Sequence, residues 1–207
     1  MKENLPVRRS LKKNSLISDK IFDLKKTRHY YILSFFLCYD NIYYMMIIIG
    51  FVVAFVTIGI DQLTKFLIYG KATKVILGDL LWFKSTLNTG VAFSMFEGNS
   101  SVFIVITSIA SVALIYLILS KKFLYKMRYK VCLGLILGGT IGNLIDRIIF
   151  KGVRDFIYLK FLNFAIFNIA DAVIVVSVIF FCVFMIIDTF KNDEKKDDKT
   201  MDIKEEK

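Results

Sequence analysis

Lys121-Lys122-Phe123-Leu124-Tyr125-Lys126-Met127-Arg128-Tyr129-Lys130, followed at once by Val131-Cys132-Leu133-Gly134-Leu135-Ile136-Leu137-Gly138-Gly139-Thr140-Ile141-Gly142-Asn143-Leu144-Ile145-Asp146-Arg147-Ile148-Ile149-Phe150, decides the fold. The first ten residues hold five cations, and the run after them carries no charge before Asp146. A stretch of about 20 apolar residues is what a helix needs to cross a bilayer core. The basic loop ahead of it is retained in the cytoplasm, so this span runs outward.

Three further runs of that kind surround it, Met46–Ile68, Val102–Ser120 and Ile169–Phe190. The fold class is therefore a mainly α membrane protein with four transmembrane helices. The positive-inside bias puts both termini in the cytoplasm and turns the segments 70–100 and 151–168 outward. Segment 70–100 contains three short runs rich in strand formers, Val75-Ile76-Leu77, Leu80-Leu81-Trp82-Phe83 and Val91-Ala92-Phe93. Gly78-Asp79 and Asn88-Thr89-Gly90 supply turns between them, which predicts a small outer β-element with Trp82 at headgroup level.

Composition agrees with this reading. Hydrophobic residues make up 56% of the 207-residue chain, and Pro6 is the single proline. The net charge of +10 lies mostly at the start, where residues 1–30 hold nine Lys/Arg against three Asp/Glu. A basic tail ahead of a span needs no nucleic-acid partner. Met45-Met46 opens directly into the first span. That makes it the expected start, with residues 1–44 an upstream over-extension or else a cytoplasmic or interfacial extension. From Lys191 onward, six Lys and seven Asp/Glu with few apolar residues predict a disordered cytoplasmic tail over 191–207.

Cys38, Cys132 and Cys182 sit in apolar runs without the spacing of a disulfide framework or a metal site, and the one histidine, His29, lies in the basic tail. Neither histidine-based nucleophilic catalysis nor a histidine-zinc centre can then be built in the membrane part. No metal or cofactor is expected, and any acid and base must be carboxylates, lysines or tyrosines.

Ionisable residues within spans are costly and are functional candidates by default. Asp61 and Lys65 fall in the outer third of the first span at i, i+4, so they share a face. Asn143, Asp146 and Arg147 fall in the outer third of the third span, Asn168 and Asp171 at the first turn of the fourth, and Asp155 just past the third. Asp61 with Lys65 reads either as a structural ion pair or as part of a site. Arg147 reads either as a salt-bridge partner or as a clamp for a polar substrate group. Asp146 points about 100° away from Arg147 and is expected to pair elsewhere. Gly134, Gly138 and Gly142, every fourth residue, predict close helix packing.

Asp155 and Asp171 form the best candidate catalytic pair, because both lie where a span meets water. Two carboxylates held close cannot both ionise cheaply, so one serves as acid and the other as base.

Five motifs carry a resemblance: Asp61-Gln62-Leu63-Thr64-Lys65, Asn88-Thr89-Gly90-Val91-Ala92-Phe93-Ser94, Gly142-Asn143-Leu144-Ile145-Asp146-Arg147, Val153-Arg154-Asp155-Phe156 and Phe167-Asn168-Ile169-Ala170-Asp171. In order and spacing, over about residues 46–190, they resemble the lipoprotein signal peptidases, or signal peptidase II. The resemblance implies a four-helix bundle with an outer β-cradle, in a peptidase domain over 45–190. It implies an aspartic endopeptidase of the bacterial cell membrane, with its active site at the outer leaflet. This would remove the signal peptide of prolipoproteins before a diacylglyceryl-modified cysteine. Asp155 and Asp171 match the family's catalytic aspartates. Asn88, Gly90, Asn143, Arg147 and Asn168 match positions that line or support the substrate site, and Asp61 with Lys65 matches a supporting pair. The expected partners are lipid-modified prolipoproteins and membrane lipids, with a monomeric enzyme. Arg154 stands where the family often has valine, a mild departure.

Two other classes compete. A transporter or proton channel predicts polar residues along the whole depth, and an assembly subunit explains the glycines but not two aspartates at helix ends.

Overall fold

The computed structural model describes residues 41–90, 100–121 and 126–205, with side chains as far as residue 193. The chain divides into two units, Met1–Met45 and Met46–Lys207, and the bundle belongs to the second. Helix α1 spans Asn41–Ile68, α2 Ser100–Leu119, α3 Met127–Phe150 and α4 Ile169–Glu205. All four are long and apolar enough to cross a membrane, α4 over Ile169–Asp193. Strands β1 (Lys74–Leu77), β2 (Leu81–Asn88) and β3 (Val153–Leu159) form one antiparallel sheet in the order β1-β2-β3.

Burial is inverted relative to a protein in water. Phe55 and Phe66 on α1 are each 76% exposed, whereas Asp61 and Lys65 on the same helix are 0% exposed. An apolar outside around a polar interior suits hydrocarbon surroundings, where every polar group must find its partner within the protein.

The glycine stripe on α3 lies against α1. A Cβ on Gly138 would stand 2.7 Å from the Ala54 carbonyl oxygen, and one on Gly142 would stand 2.6 Å from Asp61 Oδ2. Hydrogen in place of a side chain thus lets α1 approach closely enough to bring Asp61 beside α3. Below that level, Ala54, Ile118, Tyr129, Leu133 and Leu137 form an apolar core.

Helix α3 starts at Met127, earlier than the expected Val131, so part of the basic segment is helical. The reason is local: Lys130 is 0% exposed, and its Nζ donates to the carbonyls of Leu117, Ile118 and Ser120 at 3.2, 2.6 and 3.1 Å. It thereby satisfies carbonyls that α2 leaves open at its C-terminus. Asp188 of α4 ties the same end together, accepting from Tyr129 Oη at 2.5 Å, from Lys126 at 2.7 Å and from Arg128.

The sheet differs from the expectation in its third strand. It comes from Val153–Leu159, between α3 and α4, while Val91-Ala92-Phe93 lies outside the described residues. The start of β3 is buried on both faces, which removes the alternation that marks a half-exposed strand. Helix α4 also continues to Glu205, across residues expected to form a disordered tail. Neither Pro nor Gly interrupts Lys191–Glu205, and Lys and Glu are good helix formers. Most of the segment 1–44 lies outside the described residues.

Candidate active site

Three local devices bring the polar residues together. The first is the short link from α3 to β3. Lys151 takes a left-handed φ of 58° at the end of α3, and Gly152 follows with Asn88 O and Leu87 Cγ at 3.0 and 2.9 Å from where a Cβ would be. This close approach lets β3 start against β2 at once. In the register, Thr86 faces Asp155 and Asn88 faces Val153, so Asn88 and Asp155 are diagonal neighbours on one face. Asn88 Nδ2 donates to Asp155 Oδ2 at 3.0 Å, and Asn88 Oδ1 accepts from Gly90 N–H at 3.1 Å.

The second device is a backbone bridge. Phe167 pairs with Ile157, its N–H donating to Ile157 O at 3.0 Å while its carbonyl accepts from Ile157 N–H at 2.8 Å. That pins the residue before Asn168 to β3. Asn168 Nδ2 then donates to Asp155 Oδ1 at 2.7 Å and to Asn143 Oδ1 at 3.1 Å.

The third device is the start of α4. Asn168 Oδ1 accepts the Asp171 N–H at 2.9 Å, and Asp171 Oδ2 accepts the Asn168 N–H at 3.1 Å. This is a reciprocal capping box. Asn143 Nδ2 donates to Asp171 Oδ1 at 2.7 Å.

The structure therefore joins Asp155 and Asp171 through one residue, the fully buried Asn168. The two carboxylates differ in setting. Asp155 is 1% exposed and held between two amides, whereas Asp171 is half-buried. Burial, and after it the charge of Asp171, raises the Asp155 carboxyl to about 7, against the pull of the Asn88 and Asn168 amides and of Lys65. Both aspartates line a cavity of about 520 Å³ together with Asn88, Gly90 and Arg147. Its remaining wall is largely apolar, including Leu162, Phe164, Phe167 and Val176.

Asp61 and Lys65 pair at 2.8 Å, one layer behind. Asp61 Oδ1 accepts the Ala170 N–H at 3.1 Å, and Lys65 Nζ donates to Asn143 Oδ1 at 2.9 Å. The pair is an ion pair that also bonds to Ala170 and Asn143. Arg147 makes no ion pair among the described residues. Its Nη1 donates to Asn143 O at 3.4 Å, and its guanidinium lies 5.6 Å from the centre of the Phe103 ring. Among the described residues, no three His, Cys, Asp or Glu are grouped to hold a metal ion.

Asp146 finds its partner in Arg154, where Nη2 reaches Oδ1 at 2.7 Å and the backbone N–H reaches Oδ2 at 2.9 Å. Gln62 joins them, accepting from Arg154 Nη2 at 2.7 Å and donating to Gly142 O at 3.0 Å. Neither role is visible in the sequence, where Gln62 is one residue of a motif and Arg154 a mild departure from the family's valine. The Arg154–Asp146 pair spans a turn, which no helical periodicity reveals.

Residues 53–187 match the family model described as Signal peptidase (SPase) II. The lipoprotein signal peptidase of Enterococcus faecalis is 37% identical over 147 residues, covering 69% of this chain and 91% of its own. That of Shouchella clausii is 40% identical over 136 residues, covering 62% and 87%. A solved bacterial membrane enzyme, determined by the in meso method at 2.3 Å, matches with a TM-score of 0.62 at 31% identity. The match covers 68% of this chain and 88% of that one. On the strength of the family match and of these relatives, the chain belongs to the signal peptidase II family.

Proposed function

We propose that this protein removes signal peptides from lipid-modified prolipoproteins, with Asp155 and Asp171 as its acid–base pair. The observation that carries the reading is the joint hold of Asn168 on two carboxylates that line one cavity. Asp171, the more exposed of the two, takes a proton from water as the water oxygen attacks the scissile carbonyl carbon. Asp155, raised to about 7, gives its proton to the carbonyl oxygen. The gem-diol then collapses: Asp171 protonates the leaving amine, the C–N bond breaks, and a hydroxyl proton returns to Asp155. Arg147 offers guanidinium donors to a polar group of the bound substrate. The apolar wall suits the signal peptide and the acyl chains on the cysteine that follows the cut.

The positive-inside bias places both termini in the cytoplasm and the site at the outer leaflet of the cell membrane. The enzyme works as a monomer surrounded by membrane lipid, in a peptidase unit over 45–190. Concentration of the site's polar groups at one end, above an apolar core, favours hydrolysis over transport.

The test is cleavage of a lipidated precursor by wild type, Asp155→Asn, Asp171→Asn and the double variant, per folded molecule. Each single change is expected to cost on the order of 10² to 10⁴ in rate. The double is expected to cost little more, because each group works only with the other. Near-normal turnover in either single variant identifies the wrong carboxylates.

A further inference from the structure

Behind the two aspartates lie four charges with almost no access to solvent: Asp61 and Lys65 on α1, Asp146 on α3 and Arg154 on β3. Their side chains are 0% exposed, except Arg154 at 9%. Two are negative and two positive. Balance matters here, because an uncompensated buried charge is strongly unfavourable.

Lys65 commits all three of its N–H donors. Nζ lies 2.8 Å from Asp61 Oδ2, 2.9 Å from Asn143 Oδ1 and 3.2 Å from Asp146 Oδ2. Of these bonds, the one to Asn143 leads to the site. Asn143 Oδ1 receives both Lys65 and Asn168, which turns its Nδ2 toward Asp171. Asp146 is the longest of the three contacts and is matched instead by Arg154, through N–H at 2.9 Å, Nε at 3.3 Å and Nη2 at 2.7 Å. Alternation along β3 sends Arg154 toward α3 and α1 while Asp155 faces the cavity. The Arg154 guanidinium also stacks 4.3 Å from the centre of the Phe150 ring.

We propose that Arg154 is a positioning residue for the aspartate pair: by matching Asp146 it leaves the Lys65 ammonium on Asn143, and Asn143 holds Asp171. The inference rests on the reading of Asp155 and Asp171 as acid and base. Arg154 itself does not line the cavity. Without it, two buried carboxylates share one lysine. Lys65 is drawn toward Asp146, the Asn143 amide loses the donor that orients it, and an excess negative charge faces the site. The charged groups around that point are Asp61 and Lys65 from α1, Asp146 and Arg147 from α3, Asp155 from β3 and Asp171 from α4.

The experiment measures kcat and KM for a lipidated precursor across pH, using full-length protein in detergent and counting folded molecules. Arg154→Val is expected to lower kcat about 10- to 100-fold with KM little changed, as small misplacements in a site do. Its pH profile moves to higher pH, because an excess negative charge beside the carboxylate pair disfavours loss of a proton from it. Arg154→Lys keeps the cation and recovers most of kcat. Asp146→Asn combined with Arg154→Val restores balance around Asp61 and Lys65, and turns over faster than Arg154→Val alone. Wild-type kcat and pH profile in Arg154→Val, with only a lower melting temperature, overturns the proposal. So does a double variant no faster than the single. Where Arg154→Val fails to fold, Arg154→Gln decides: it keeps a donor for Asp146 without the charge, so an unchanged kcat and pH profile overturns the proposal and a lowered kcat with the profile at higher pH supports it. Asp155→Asn and Asp171→Asn run alongside. Normal turnover there defeats the acid–base reading, a result distinct from any outcome at Arg154.

Discussion

Asn168 and Asp171 cap each other at the start of α4, each donating its backbone N–H to the other's side-chain oxygen, at 3.1 and 2.9 Å. The Asn168 amide nitrogen is thereby left to hold Asp155. One residue caps the start of a helix and fixes two carboxylates.

These two jobs are separable. Asn168→Ser keeps a capping oxygen but has no amide for Asp155, and Asn168→Ala keeps neither. Both variants are expected to lose turnover about 10- to 100-fold through misplacement of Asp155. The alanine variant alone should lose roughly 1 kcal/mol more stability, the usual worth of a cap. Melting in detergent and precursor cleavage, measured on the same preparations, check the split.

The second prediction concerns pH. Asp155 sits at about 7 in the folded protein against an ordinary 3.8. Between those values the folded state binds more protons than the unfolded chain. This group's contribution to stability is therefore complete below the lower value, is lost as pH rises through the window, and changes no further above it. The wild type is expected to lose stability relative to Asp155→Asn as pH rises from about 4 to about 7. Turnover should also fall as pH rises through about 7 and the acid loses its proton. Parallel melting curves for the two proteins across that range contradict the assignment.

Runs of apolar residues made the four spans legible, and the positions of Asp61, Lys65, Asp155 and Asp171 within or beside them marked one end of the bundle. Two kinds of feature were hidden. Residues Val153–Phe156 are buried throughout, so β3 carried no alternation to read. Arg154 and Asp146 meet across the αL turn at Lys151, and Gln62 reaches them from another helix. Such pairs follow from packing, which lacks a local pattern in the chain. Asn168 and Asp171 are placed by the sequence at the first turn of α4, and their mutual capping emerges only in the structure.

Gly142 is the point where α3 meets a carboxylate. A Cβ there would lie 2.6 Å from Asp61 Oδ2, and Asp61 is fully buried between Lys65 and the Ala170 N–H. Gly142→Ala is expected to cost about 1–3 kcal/mol, as overpacking does, and to lower turnover by shifting Asp61. Gly59→Ala, on the same α1 but with nothing within 4 Å of its Cβ, should be neutral or up to ~1 kcal/mol more stable. Equal effects of the two substitutions on melting contradict this account of the interface.

Arg147 separates a substrate clamp from a structural cation. Its hydrogen bond to Asn143 O is long, 3.4 Å from Nη1, and it faces the cavity that Asp155 and Asp171 line. A guanidinium offers a planar fork of donors that an ammonium cannot imitate. Arg147→Lys preserves the charge beside the two aspartates but removes the fork. If Arg147 serves the substrate, the lysine variant should keep its melting temperature and lose about 10- to 100-fold in kcat/KM, the value of one or two hydrogen bonds to a charged donor. If Arg147 instead braces the bundle, the loss should appear in melting, with turnover per folded molecule preserved. Melting in detergent, set beside kcat/KM for a lipidated precursor, distinguishes the two, and a stable variant with normal kcat/KM removes Arg147 from the substrate site.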